Sequence, residues 1–108
     1  MAVRDLESYE GFAFQWTGLE ANDTGDPLRL TNRGGVVAAI QLTGTFGGTV
    51  TMQGSLDGTN WFTMKDTQGN DVSATADALF EVSTAVRHVR PSAGSGVSSV
   101  AVIFSTAN

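Results

Sequence analysis

Short runs of alternating apolar and polar residues, most of them bounded by glycine, dominate this chain. In "FAFQWTG" the residues Phe12, Phe14 and Trp16 fall on one side, and in "GTVTMQGS" Val50 and Met52 do the same. Alternation with a period of two predicts β-strands that each bury one face. No stretch of a dozen residues sustains the 3.6-residue period of a helix, so the chain is predicted to be all-β.

Turn residues such as Gly47-Gly48 and Asp57-Gly58 separate about eight such runs. Antiparallel strands that each bury one face are usually arranged as two packed sheets. We therefore predict a single-domain β-sandwich over residues 12–108. A jelly roll is preferred and an immunoglobulin-like sandwich is the second choice, because periodicity does not reveal strand order. The predicted strand runs are "FAFQWTG", "PLRLTN", "GVVAAIQLTG", "GTVTMQGS", "WFTMK", "ALFEVS", "AVRHVRP" and "SSVAVIFS".

Residues 1–11 fall outside this alternation and are interpreted as an N-terminal arm. Val3, Leu6 and Tyr9 are apolar and spaced by three, with charged residues between them. A frayed terminus, an arm that becomes ordered against a neighbouring subunit, and a short helical turn all fit this spacing. The interpretation carried forward is that these three residues contact a neighbouring subunit or a partner protein.

The charge balance and composition limit the possible partners. The chain has 108 residues, 41% of them hydrophobic, which suits one domain with a packed core. Eleven acidic against six basic residues give a net charge of −5, so nucleic acid is disfavoured as a partner. The absence of cysteine excludes disulfides and fits synthesis in a reducing cytoplasm. No apolar run approaches the roughly 20 residues of a membrane span, and no membrane association is predicted.

No catalytic or cofactor-binding arrangement is evident. The single histidine, His88, is expected at an edge or surface position, and nothing pairs it with a nucleophile, so the protein is predicted not to be an enzyme. One histidine and no cysteine leave no metal site of the usual nitrogen and sulfur ligands. "KDTQGND" and "NDTGD" carry oxygen ligands suited to calcium, but they lack the full spacing, and turn formation is the preferred interpretation. No metal and no cofactor are predicted.

The two tryptophans are interpreted separately. Trp16 continues the apolar face of its strand and is predicted to lie in the core. Trp61 follows the Asp57-Gly58 turn and its neighbour Phe62 points the opposite way, so one of these two must face away from the core. For Trp61 a core position and an exposed or interface position both stay open. The stretch "GSLDGTNW" (54–61) is interpreted first as a hairpin and not as a binding site.

A series of motifs between residues 44 and 105 gives a more specific indication. "GSLDGTNW" is followed by the turn "DTQGNDV" (66–72), the strand "RHVRP" (87–91) and a glycine-rich turn into a final apolar strand (93–104). This series resembles small β-sandwich proteins encoded among tailed-phage structural genes. The combination of "SLDGTNW" with "RHVR" is also similar, more weakly, to discoidin-type jelly rolls that bind carbohydrate or lipid. Because the loops here are short, that second resemblance implies a fold and no ligand site.

The phage resemblance implies a virion component, made in the host bacterial cytoplasm. The expected role is a capsid decoration (cement) protein on the exterior of the capsid, with the major capsid protein as partner. Val3, Leu6 and Tyr9 are the candidates for contact with the capsid or with a neighbouring subunit. A homo-oligomer is expected, a trimer being favoured over a dimer because shells offer three-fold sites. The alternatives are a tail, fibre or head-completion component, or a carbohydrate-binding module displayed on the virion.

Overall fold

The computed structural model describes residues 3–5, 11–30, 37–83 and 86–107, and within these ranges it contains ten strands and no helix. Each of the eight predicted runs contains one strand. The two further strands, β1 and β7, are only two or three residues long. The strands are β1 (Val3–Asp5), β2 (Gly11–Leu19), β3 (Leu28–Arg29), β4 (Val37–Thr45), β5 (Val50–Ser55), β6 (Phe62–Thr63), β7 (Ser73–Ala74), β8 (Ala78–Ser83), β9 (His88–Ala93) and β10 (Ser99–Ala107).

The strands form two antiparallel sheets, as the alternation predicts. The first sheet has the order β1-β2-β10-β4-β8, and the second has the order β3-β9-β5-β6, with β7 also pairing with β5. The pairs β2·β10, β3·β9, β4·β8 and β5·β6 are nested: β2 pairs with the last strand, and each following pair lies inside the previous one along the chain. A long hairpin rolled over itself produces this nesting and divides its strands between two sheets. The strand order is therefore that of a jelly roll, the preferred prediction.

The core lies between the two sheets. Trp16, Val50 and Met52, all predicted to face inward, are fully buried. Burial of a large apolar side chain contributes about 1.5–3 kcal/mol relative to exposure, so this layer supplies most of the favourable free energy of folding. The other fully buried side chains are Leu19, Ile40, Leu42, Val72, Val82, Val89, Val100, Val102 and Phe104.

A bulge in β2 allows this strand to contribute two large core residues at an unusual spacing. Val102 pairs with Trp16, but Val100 pairs with Leu19, so β2 has one residue more than β10 between these pairs. Gly18 has a φ of 67°, a value that glycine adopts without strain. The extra residue resets the alternation. Trp16 and Leu19 consequently both face the core although they are three positions apart.

The polar loop over residues 20–27 is anchored to the core. The indole Nε1 of Trp16 donates a hydrogen bond of 2.9 Å to the main-chain oxygen of Asp26. The N–H of Gly25 donates to the oxygen of Pro91 at 2.9 Å. Pro91 has no N–H to donate to a neighbouring strand. It is tolerated in β9 because β3 pairs only with His88 and Val89, so that beside Pro91 this edge of β9 faces the loop.

The beginning of the chain contributes the edge strand of the first sheet. In β1, Val3 pairs with Trp16 and Asp5 with Phe14 along β2. Leu6 and Tyr9 lie outside the described residues. The proposed contact role of Val3, Leu6 and Tyr9, and the division into an arm (1–11) and a sandwich (12–108), therefore stay predictions.

Candidate functional site

The "GSLDGTNW" stretch forms a hairpin, as predicted, although its connection is longer than a tight two-residue turn. Gln53 pairs with Thr63 and Gly54 with Phe62, so that residues 56–61 form the loop between β5 and β6. Gly58 has a φ of 76°. Its backbone lies so close to His88 that a Cβ at this position would be 3.4 Å from the imidazole Nε2. The loop therefore folds over the outer face of the second sheet.

Asp57 organises this loop. Its Oδ1 accepts hydrogen bonds from the main-chain N–H groups of Thr59 (2.9 Å) and Asn60 (2.8 Å), and its Oδ2 accepts from Asn60 Nδ2 (2.8 Å). The buried hydroxyl of Ser55 donates to Asp57 Oδ1 at 3.0 Å and accepts from the N–H of Gly58 at 2.9 Å. These bonds fix the loop internally and leave the carboxylate little capacity for a ligand.

The same bonds lower the pKa of Asp57 well below its usual range. The N–H of Asn60 contributes most, followed by the N–H of Thr59 and then by the side chains of Asn60 and Ser55. All of these donors stabilise the ionised carboxylate. Asp57 therefore carries its negative charge at neutral pH, and it is a structural acid rather than a proton donor.

Trp61 and Phe62 point to opposite faces, as the alternation predicts. Trp61 lies on the outer face and is half-buried, with the guanidinium carbon of Arg90 at 4.2 Å from its ring centroid. Phe62 faces the inner side of the second sheet, because it pairs with Gly54, whose other partner Val89 is buried. Phe62 is nevertheless 71% exposed. It is therefore Phe62, and not Trp61, that presents an uncovered aromatic ring.

Phe62 borders an apolar groove of about 590 Å³ at the margin of the sandwich, between the edge strands β6 and β8. We call this feature the end groove. Leu56, 65% exposed, forms part of its rim, and Ser83, the last residue of β8, lines it from the first sheet. A Cβ on Gly54 would lie 3.0 Å from Val86 Cγ1, so the missing side chain allows Val86 to close the groove from below. Its lining is Gly54, Ser55, Leu56, Asp57, Asn60, Phe62, Thr63, Met64, Lys65, Ser83 and Val86.

Farther along the same margin the two sheets are joined by the turn after β6. The N–H of Thr67 donates to the oxygen of Glu81 on β8 at 2.9 Å. Asp66 Oδ1 accepts from the N–H groups of Gln68 and Asn70, both at 2.9 Å. The carboxylate of Asp66 thus stabilises its own turn, as the turn interpretation of "KDTQGND" predicts.

The polar residues considered from sequence do not converge on a catalytic arrangement. His88 is half-buried on β9, which lies between β3 and β5, so the predicted surface position holds but an edge position does not. Its aromatic neighbour is Trp61, with ring centroids 6.5 Å apart. Among residues 3–5, 11–30, 37–83 and 86–107, no group of three or more His, Cys, Asp or Glu side chains could hold a metal ion. No helix in that part of the chain is long and apolar enough to cross a membrane.

Comparison with known proteins gives a fold and no family. No protein-family model matches the chain, and no curated protein matches its sequence. The structure is similar to the SPBc2 prophage-derived protein YomS, with a TM-score of 0.69, 8% identity, and coverage of 95% of this chain and 99% of that one. It is also similar to a cupin domain from Bordetella pertussis Tohama I, with a TM-score of 0.52, 9% identity, and coverage of 99% and 95%. The chain thus shares a small jelly-roll fold with a phage-derived protein.

Proposed function

We propose that this protein is a structural component of a phage virion, and specifically a decoration protein that binds the outer surface of the major capsid lattice. The motif series over residues 44–105 supports this proposal. So does the likeness to a prophage-derived protein of nearly the same extent. At 8% identity that likeness supports a common architecture, and the docking role rests on the surface of the molecule.

The end groove is the observation that carries the docking role. Phe62 and Leu56 are large apolar side chains that both line the same apolar groove and are left exposed. Exposed apolar patches of this kind on small proteins mark surfaces for partners. A partner that covered both side chains would gain about 1.5–3 kcal/mol for each. The loop bonds of Asp57 hold one wall of the groove in place before a partner arrives.

Stabilising a shell requires each decoration unit to bridge neighbouring subunits. A homo-oligomer, with a trimer preferred, would present several end grooves at once and gain affinity through effective concentration. The contact role of Val3, Leu6 and Tyr9 belongs to the same proposal. The net charge of −5 would keep the free protein dispersed until it docks.

Co-sedimentation with matched mature capsids that lack the protein tests this function. We expect saturable binding at a fixed copy number per capsid subunit. Phe62→Ser should weaken that binding about tenfold or more, the equivalent of about 1.4 kcal/mol or more. The matched control is Leu79→Ser, which changes an equally exposed residue (68%) on β8 outside the end groove and should bind normally.

Two outcomes would contradict the proposal. Binding to purified tails in place of capsids would assign the protein to a tail or fibre. Equal losses in Phe62→Ser and Leu79→Ser would remove the end groove from the docking surface.

A further inference from the structure

Two arginines and a histidine share the outer face of the second sheet. Arg29 on β3 pairs with His88 on β9, and Arg90 lies two positions farther along β9. Directly opposed residues, and residues two apart in one strand, lie on the same face of a sheet. Gln53 on β5 pairs with Arg90 and belongs to this face as well. We call Arg29, Gln53, Trp61, His88 and Arg90 the arginine face.

The side chain of Arg90 is held in a fixed orientation. Its Nε donates a hydrogen bond of 2.8 Å to Gln53 Oε1. Its guanidinium carbon stacks 4.2 Å from the ring centroid of Trp61. A guanidinium that is already stacked and bonded loses less freedom when it binds, and its remaining N–H groups keep the planar fork that matches a carboxylate.

The arginines of the arginine face have no ion-pair partner among the described residues, and the carboxylate of Asp57 in the adjacent loop is occupied by donors of its own loop. The ion pair found among the described residues joins Lys65 to Asp71, and neither Arg29 nor Arg90 pairs with a carboxylate in that part of the chain. The whole chain, in contrast, has eleven acidic residues and six basic ones. Arg29 and Arg90, on adjacent strands, therefore place two positive charges without an ion pair among the described residues on one face of an otherwise acidic chain.

We propose that the arginine face binds a carboxylate-rich patch on a partner protein, which under the proposed function is the capsid surface. Planar forks at Arg29 and Arg90 suit carboxylates of Asp and Glu side chains. Arg and Trp are also the residue types that are enriched at the energetic centres of protein interfaces. Because β9 is an internal strand, the face offers side chains to a partner and no free backbone for an added strand.

The net charge of the chain favours a protein partner over an extended polyanion. A nucleic acid or a sulfated polysaccharide is long and would extend beyond the arginine face. The net charge of −5 on the chain would repel the negative charges of the polymer there. A compact group of a few carboxylates meets mainly the local charge of Arg29 and Arg90. The acidic patch of a folded protein is therefore the complementary surface.

The test titrates the full chain with a capped hexaglutamate peptide as the probe. Binding is monitored through the NMR shifts of the Trp61 indole N–H and the Arg90 Nε–H. We expect saturable binding that Arg90→Gln weakens about tenfold. Arg29→Gln, at an exposed position, should also weaken it, and this variant keeps the test valid if Arg90→Gln unfolds. Arg87→Gln removes the same charge from an exposed position just before β9 that is not part of the arginine face, and it should bind normally.

Equal weakening by Arg87→Gln, or no saturation with wild-type protein, would overturn the inference. So would tighter binding of a heparin hexasaccharide than of hexaglutamate, which would assign the face to polyanions. The test contains no capsids, so its failure is distinct from a failure of the decoration role. Peptide binding without capsid binding would remove only the proposed function, and capsid binding without peptide binding would remove only this inference.

Discussion

At Gly25 the polar loop over residues 20–27 packs directly against the core. A Cβ at this position would lie 2.5 Å from Trp16 Cδ1 and 2.6 Å from Pro91 Cδ, far inside van der Waals contact. Both neighbours are buried, and Trp16 is also held by its hydrogen bond to Asp26. Neither side chain can move aside without disturbing the packing between the sheets. Glycine is therefore required here for space.

We expect Gly25→Ala to lower the free energy of unfolding by about 1–3 kcal/mol, the usual cost of overpacking a core. Urea denaturation followed by tryptophan fluorescence would measure it. Asn22→Gly is the control in the same loop, because Asn22 has a φ of 64° that suits glycine, and its effect should stay within about 0.5 kcal/mol. Similar losses of unfolding free energy in both variants would show that any change in this loop destabilises the protein, and that the clash of the added Cβ with Trp16 and Pro91 is not the cause.

Asp57 makes the stability of the hairpin depend on pH. Its pKa is lower in the folded protein than in the unfolded chain, so the ionised form is favoured by folding. This contribution is fully present above the unfolded pKa of about 3.9 and is lost as the pH falls below that value.

Asp57→Asn should therefore be less stable than wild type at pH 7, and the gap should shrink at pH 3. Urea midpoints measured at pH 7, 5 and 3 would show this trend. Glu81→Gln removes an equal charge from an exposed position on β8 and serves as the control. A gap that is as large at pH 3 as at pH 7 would assign the effect of Asp57→Asn to shape and not to charge.

At the scale of the element, β6 shows how a strand can obey the alternation and still leave an apolar residue exposed. Phe62 takes an inward position and Met64, which donates its N–H to Met52, is buried one step farther along. Inward positions are covered only where the other sheet reaches them. Near Phe62, β8 ends at Ser83, and the end groove remains.

The pairing of β1 with β2 makes a deletion of residues 1–9 informative. The core side chains whose burial the structure describes lie in β2–β10 and their connections, so we expect the shortened chain to keep its sandwich, as far-ultraviolet circular dichroism would show. If Val3, Leu6 and Tyr9 bridge subunits, capsid co-sedimentation should be lost. Undiminished binding by the shortened chain would remove the arm from the docking surface. Replacing residues 1–9 with a glycine-serine segment of equal length controls for chain length.

At the scale of the whole molecule, local patterns predicted the strands and the core, whereas the surfaces required the long-range pairing. Alternation alone identified Trp16, Val50 and Met52 as inward, because burial of one face is a local property of a strand. The arginine face could not be predicted, because it depends on β9 lying between β3 and β5. The end groove could not be predicted either, since the alternation that places Phe62 inward says nothing about where the opposite sheet ends.

Nested pairing also determines how the two halves of the chain depend on each other. If the chain is divided within the "GSLDGTNW" loop, β1–β5 fall in one half and β6–β10 in the other. Apart from β1 with β2, every strand pairing among the described residues joins one half to the other. Neither half alone can assemble a sheet of more than two strands with these native pairings. The domain is accordingly a single cooperative unit, in which each half serves as the folding template for the other.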